Sequence, residues 1–285
     1  MSNSPLPGPL SPAVSADALA VDPNKANIAR MYDYFLGGKD NLAADREAAE
    51  DVLAENPNVR DTVRANRQLL GRTVCFLVEQ GIRQFIDLGS GLPTQENVHE
   101  VAQATAPDAR VIYVDNDPVV LSHGRALLET NPHTVVIGED LRNPQKILRH
   151  PDVCTLIDFT KPTAVLAFAI LHFLPDAHAY GLADAMKGAF CAGSYLAISH
   201  VLDTDAAQRG RAIYNKRKAN AEVIPRSHAE IRRFFDGLEL IHPALDASPS
   251  SEPDLVHLSQ WKQIETGVEW EDRLTLCGVA RKTET

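Results

Sequence analysis

"DLGSGLPT", residues 87–94, lies between an apolar run, "RQFI" (83–86), and a segment with helical periodicity. That placement makes it a turn from a strand into a helix. Its glycines, Gly89 and Gly91, let the backbone turn tightly and approach a ligand closely, because no Cβ intervenes. The start of the helix beyond offers unpaired N–H groups and a partial positive charge. In an open parallel sheet, ligands bind at such strand ends.

Outward from this turn, short apolar runs alternate with helical stripes, the pattern of a parallel sheet with crossover helices. The helix after the turn carries Val98, Val101, Ala102 and Thr105 on one stripe, with Thr94 as its expected N-cap. "RVIYVDND" (110–117) is a second strand, followed by Asp117 as cap and Pro118 at the first helical position. "TVVIGED" (134–140), "TAVLAFAIL" (163–171) and "SYLAISHV" (194–201) are the next three, with a helix over about 177–191 ended by Gly193. Ser227 and Glu230 form a capping box for a further helix closed by Gly237. "LELIHP" (238–243) and "RLTLCGVA" (273–280) complete seven strands, with the Ser/Pro-rich "DASPSSEPD" (246–254) as a loop between them.

Upstream, Asn58 and Asp61 can cap a helix with the stripe Val59, Val63, Leu70, Val74, Leu77 and Val78, ending at Gly81. The Pro, Ser and Ala of the first residues predict a disordered tail. The expected organisation is a tail over 1–24, an N-terminal helical lid over 25–80, and a ligand-binding α/β domain over 81–285. Its sheet is expected to be mostly parallel and seven-stranded, with helices on both faces.

The chain has 285 residues, 44% of them hydrophobic, and a formal net charge of -10. That charge argues against a protein that neutralises nucleic-acid phosphates or an anionic membrane, and favours a small-molecule partner. Cys75, Cys154, Cys191 and Cys277 lie far apart with no zinc-ligand spacing, so they are expected to be reduced, buried thiols in a cytoplasmic protein that needs no metal. The N-terminus lacks the basic region and unbroken apolar core of a secretory signal. The most apolar segment, "TAVLAFAILHFL" (163–174), is too short to span a bilayer and suits a buried parallel strand.

Position 94 holds Thr94 where a dinucleotide fingerprint needs a third glycine, so a pyrophosphate is disfavoured at the turn. Asp115, at the tip of the second strand, is placed to accept both ribose hydroxyl hydrogens. Asp140, at the tip of the third, can accept from an adenine amino group. A nucleoside with a carboxylate-bearing tail, S-adenosylmethionine, fits this set.

"DLGSGLP", "VIYVDND" and "IGEDLR" at three successive strand ends resemble class I S-adenosylmethionine-dependent methyltransferases, which have a Rossmann-like fold. "ARMYDYFLGGKDNLAADREAAE", "GSGLPTQENVHEVAQ", "AILHFLPD", "RSHAEIRRFFDGLELI" and "SQW", in that order, resemble the bacterial DUF574 group of S-adenosyl methyltransferases. The resemblance runs from about Asn27 to the C-terminus. It implies that Asp87, Gly89, Ser90 and Gly91 hold the methionine end of the cofactor, Asp115 the ribose, Asn116 the adenine face, and Asp140 with Leu141 the adenine edge.

"YDYFLGGKDN" (32–41) has a superficial likeness to a phosphate loop, but no strand precedes it and Asp40 stands where a hydroxyl residue is needed. The resemblance instead implies a helical lid over the strand ends, with Tyr32 and Tyr34 as aromatic surface and Gly37-Gly38 as a break; the alternative is a structural N-terminal cap with a Gly turn.

Methyl transfer from a sulfonium is an in-line displacement, and alignment provides much of the catalysis. His172, just past the fourth strand, is the best-placed general base, with Tyr32 and Asp33 as weaker candidates. From Arg209 to Arg233 eight Lys/Arg face only Glu222 and Glu230, which predicts either a solvated helical surface or a rim that attracts an anionic acceptor. Trp261 either closes that pocket or anchors its loop. The leading expectation is an enzyme that methylates a small molecule. A non-catalytic S-adenosylmethionine sensor and a nicotinamide-dependent oxidoreductase are the alternatives. The sequence specifies no oligomeric state.

Overall fold

The computed structural model describes residues 21–94, 96–217, 219–244, 252–262 and 274–284. The expected tail therefore lies almost wholly outside the described residues, as does most of the Ser/Pro loop.

Five strands run parallel: β1 (Gln84–Leu88), β2 (Arg110–Asp115), β3 (Thr134–Gly138), β4 (Ala164–Phe168) and β5 (Tyr195–Val201). β6 (Glu239–Leu240) and β7 (Val256–His257) both pair antiparallel with β8 (Thr275–Arg281), which itself pairs antiparallel with β5. The order is β3-β2-β1-β4-β5-β8-β6, with β7 on β8 off this path. Among the described residues the sheet thus has eight strands rather than seven. The addition is β7, two residues long and too short to show an alternating pattern.

Alternation along the strands divides the core. Ile86, Ile112, Val165 and Ile198 face one layer, which includes α6 (Pro144–Leu148), α7 (Pro151–Leu156), α8 (Asp176–Ala189) and α10 (His228–Arg233). Phe85, Val111, Leu166 and Ala197 face the other, where α3 (Val59–Glu79) contributes Leu69, Leu70, Val74, Leu77 and Val78. α4 (Val98–Thr105) adds Val98 and Ala102 to this second layer. Its N-cap is Asn97, in a capping box with Glu100, rather than Thr94. Thr94 instead donates its backbone N–H to Asn97 Oδ1 at 3.1 Å, so the chain runs three residues further before the helix begins.

The expected local signals recur where they are self-contained. Asp117 Oδ1 accepts from Val119 N and Val120 N ahead of α5 (Pro118–Leu127), and Ser227 and Glu230 close the capping box of α10. Gly81, Gly193 and Gly237 all have positive φ. The cysteines differ from expectation: Cys277 is buried, but Cys75 and Cys154 are exposed and Cys191 is half-buried. Among the described residues no helix is long and apolar enough to cross a membrane.

α1 (Ile28–Leu36) and α2 (Ala43–Glu55) form a small cluster of their own, with Met31, Phe35, Ala48, Ala49 and Val52 buried against Val63 of α3. A buried ion pair, Arg30 Nε to Asp45 Oδ2 at 2.6 Å, ties the two helices. The Gly-Gly-Lys-Asp segment ends α1. Gly37 takes a left-handed φ of 84°, and Gly38 N donates to Asp33 O at 2.9 Å. A Cβ at Gly38 would lie 1.9 Å from Asp33 Oδ1, whose carboxylate is already fixed by Asp40 N and Asn41 Nδ2. The double glycine is therefore a helix stop packed on a buried carboxylate.

Candidate functional site

Neighbours diverge between β1 and β4: the chain leaves β1 toward β2 on one side, and later returns to place β4 on the other. A cavity of about 470 Å³ opens at the C-terminal ends of these strands, a size suited to a small ligand. It is lined by Asp87, Gly89, Ser90, Gly91, Asp115, Asn116, Asp140, Leu141, Tyr32 and His172, so all the site residues expected from the sequence share one cavity.

Asp87, one residue before the end of β1, lies on the face turned toward α3, because Phe85, two residues earlier, packs in that layer. Burial pushes its carboxyl up to about 7; the Arg67 guanidinium on α3 pulls it partway back, and Asp115 adds like-charge repulsion. Gly89 (φ 69°) and Gly91 (φ 66°) both use left-handed backbone. A Cβ at Gly89 would stand 2.3 Å from Ile170 Cγ1, whereas none at Gly91 would meet an atom within 4 Å. Gly89 N and Ser90 N donate to Val114 O at 2.8 and 3.2 Å, which folds the turn onto β2.

Asp115 Oδ2 accepts from Gly91 N and Oδ1 from Asp117 N, both at 3.0 Å. Each oxygen retains a lone pair for a further donor. Burial raises its pKa, opposed by these backbone donors. Asp140 behaves differently: its carboxylate takes a fork of hydrogen bonds from Arg142 Nε and Nη2 and lies below the usual carboxylate range because of them. It lines the cavity, but Arg142 competes for the oxygens that were expected to meet an adenine amino group.

Ser90 Oγ and His172 Nδ1 are buried without a hydrogen-bond partner among the described residues. Both residues line the cavity, and an unpartnered buried polar atom carries a cost that a turn of the side chain onto a polar guest would relieve. His172 sits in a short 3-10 helix, Leu171–Phe173, after β4. Its pKa is held well below the usual histidine value, first by burial and then by the charges of His200 and Arg226. Arg226 is itself buried, donates to Leu171 O, Leu174 O and Asp176 Oδ1, and contacts His200 Nε2 at 2.7 Å. The imidazole of His172 is therefore kept neutral.

Several contributors were not anticipated. Asn27, the N-cap of α1, reaches Asp117 Oδ2 with its amide, which pins α1 to the end of β2. Asn66 joins three elements: its Oδ1 accepts from Ser199 Oγ at 2.6 Å, and its Nδ2 donates to Tyr32 Oη at 3.0 Å. Tyr32 in turn donates to Val63 O at 3.3 Å, and Ala169 N donates to Ser199 Oγ at 2.8 Å. Ala169 has a φ of 52°, unfavourable for a residue with a Cβ, and this network holds it there. Asn66 carried a signal: it is a polar residue at helical spacing within the stripe Val59, Val63, Leu70.

The basic stretch is largely neutralised within the protein. α9 (Asp205–Lys216) and its flanks place Arg209 on Glu55, Arg211 on Glu222, and Arg217 on both Asp51 and Glu47. Arg232 pairs with Asp254, and Arg233 lies over the Tyr180 ring. Lys218 lies outside the described residues. Trp261 is buried edge-on against Phe76 at 5.4 Å between centroids, while its carbonyl accepts from Arg72. It anchors its loop in the core and does not line the cavity.

A family model described as S-adenosyl methyltransferase matches residues 15–283. The crystal structure of a protein from Thermobifida fusca YX is 40% identical, with a TM-score of 0.83 over 92% of this chain and 96% of that one. A DUF574 family protein from Streptomyces avermitilis MA-4680 is 38% identical, with a TM-score of 0.83 over 92% and 99%. Magnesium protoporphyrin IX methyltransferase from Synechocystis PCC 6803, with bound SAM, is 13% identical, with a TM-score of 0.50 over 93% and 99%, a likeness of fold alone. No curated protein matches the chain.

Proposed function

The chain belongs to the S-adenosyl methyltransferase family and is an S-adenosylmethionine-dependent methyltransferase; we propose that it methylates a small-molecule acceptor held in the cavity beside β4. One observation carries this reading: Asp87, Asp115 and the open backbone of Gly89–Gly91 line a single cavity at the divergence of β1 and β4.

In the proposed arrangement Asp87 pairs with the cofactor's ammonium, Ser90 Oγ donates to its carboxylate, and Asp115 accepts from the ribose hydroxyls. Asn116 and Leu141 flank the adenine, and Asp140 serves its edge once Arg142 yields an oxygen. The cofactor, when bound, would supply an activated methyl group for in-line transfer to the acceptor. The protein's part is alignment and the exclusion of water. α1 to α3 are proposed as the lid that does this, since Tyr32, Asn66 and Val63 all face the cavity. His172, neutral and with an unpartnered ring nitrogen, is the proposed hydrogen-bond or proton acceptor for the substrate.

Calorimetry with S-adenosylhomocysteine tests the cofactor assignment. Binding is expected, with NAD inert, and Asp115→Ala is expected to weaken it by about 1.5–3 kcal/mol through loss of charge-assisted hydrogen bonds. Unchanged binding by the variant would remove Asp115 from the site.

A further inference from the structure

The wall of the cavity away from the glycine turn is mainly apolar, with Phe35, Val52, Val63, Phe173, Tyr214 and Val223, together with Asn56 and Asn220. The apolar residues come from α1, α2, α3, the 3-10 helix after β4, α9 and the segment that follows α9. Three ionic side chains of these elements line the cavity, Asp33, Arg67 and Arg211, and each is engaged inside the protein. Asp33 accepts from Asp40 N and Asn41 Nδ2 at 2.9 and 2.8 Å. Arg211 makes a two-pronged contact with Glu222 Oε1. Arg67 donates to Glu96 O and acts electrostatically on Asp87 and Tyr32. A charged group entering the apolar half would lose its hydration and find no counter-charge to replace it.

His172 supplies the contrasting polar feature. Its Nδ1 is unpartnered among the described residues, and burial, His200 and Arg226 oppose any positive charge on the ring. A neutral imidazole in an apolar wall suits a hydroxyl and rejects an ammonium. We propose that the methyl acceptor is an uncharged, largely apolar molecule of aromatic-ring dimensions, recognised through one hydroxyl by His172. This rests on the methyltransferase reading of the same cavity. It runs opposite to the anionic acceptor that the basic stretch of sequence first suggested, because that stretch is already paired with carboxylates of α2 and Glu222.

The test uses the full chain saturated with S-adenosylhomocysteine at pH 7.5 and three probes of like shape: 2-naphthol, 2-naphthoate and 2-naphthylmethylammonium. 2-Naphthol is expected to bind at least about tenfold more tightly than either ion, the cost of an uncompensated charge being more than 1.4 kcal/mol, or about tenfold. A charged probe binding as tightly as 2-naphthol overturns the proposal, as does failure of all three to bind a protein that does bind S-adenosylhomocysteine. Failure of S-adenosylhomocysteine itself overturns the underlying reading, and is told apart because it precedes any probe. Glu222→Gln, at an exposed position, releases Arg211; 2-naphthoate affinity should then rise about threefold with 2-naphthol unchanged. If neither moves, Arg211 does not face the acceptor and the charge argument fails.

Discussion

Asp87→Asn is expected to make the protein more stable at pH 8 and a poorer binder of S-adenosylhomocysteine. Burial raises the Asp87 carboxyl from 3.8 to about 7, which is roughly three pH units. At about 1.4 kcal/mol per pH unit, the ionised carboxylate costs the empty fold on the order of 4 kcal/mol. Between pH 4 and 7 the folded chain holds this proton and the unfolded chain has lost it, so stability falls as pH rises through that window. Above pH 7 both states are ionised and the full penalty is present. Asparagine carries no charge, so the gain should be near zero at pH 4 and approach about 4 kcal/mol at pH 8. With an unfolding entropy of about 2.1 cal/mol/K per residue over 285 residues, that gain is about 7 °C in Tm. Ligand binding moves the other way. Loss of a charge-assisted contact should weaken S-adenosylhomocysteine by about 1.5–3 kcal/mol. Wild-type affinity should rise with pH up to about 7 while the variant stays flat. Calorimetric scans and titrations at pH 5 and 8 measure both. A Tm gain equal at the two pH values refutes the burial argument, and unchanged affinity refutes the role of Asp87 at the ligand.

Gly38→Ala should cost about 1–3 kcal/mol, because its Cβ meets Asp33 Oδ1 at 1.9 Å, and denaturant titration reads this directly. Arg30→Met removes the charge partner of the buried Asp45 carboxylate, which keeps its hydrogen bonds from Asn27 N and Leu42 N, and is expected to cost about 3–5 kcal/mol by denaturant titration. Ser199→Ala removes the group that links Ala169 N to Asn66, so a loss of about 1–3 kcal/mol should accompany faster proteolysis of residues 28–55; stability without that protease sensitivity would limit the network to a local role. His172→Phe deletes a buried polar atom that has no partner, so Tm should hold or rise while 2-naphthol affinity falls about fivefold, and an unaltered affinity would exclude His172 from recognition.

The signals legible in the sequence were those whose physics closes within a few residues. Asp117 ahead of Pro118 caps a helix wherever that helix goes, and Ser227 with Glu230 satisfies its own backbone donors. Parallel strands buried on both faces declare themselves as apolar runs, and the carboxylates and glycines that follow them are drawn to the same edge because parallel strands all end there. That is why Asp87, Asp115 and Asp140 could be placed together before the fold was known. Thr94 misled because capping preference alone does not say how far a loop extends, and three residues separate it from Asn97. β7 was invisible because two residues make no pattern.

What lay beyond the sequence was pairing between distant residues. The basic run from Arg209 reads as a positive surface when only its own neighbours are counted. In the fold its Arg209 and Arg217 meet Glu47, Asp51 and Glu55 of α2, about 160 residues away, and much of the positive surface is neutralised. The consequence reaches the chemistry. An unpaired rim would draw anions toward the mouth of the cavity, whereas a paired one leaves an apolar chamber whose polar handle is a neutral histidine. The same ion pairs tie α9 to α2, so they fix the wall carrying Tyr214 against the helices carrying Tyr32 and Val63. Charge that sequence inspection would assign to substrate attraction is used instead to assemble the walls that reject charge.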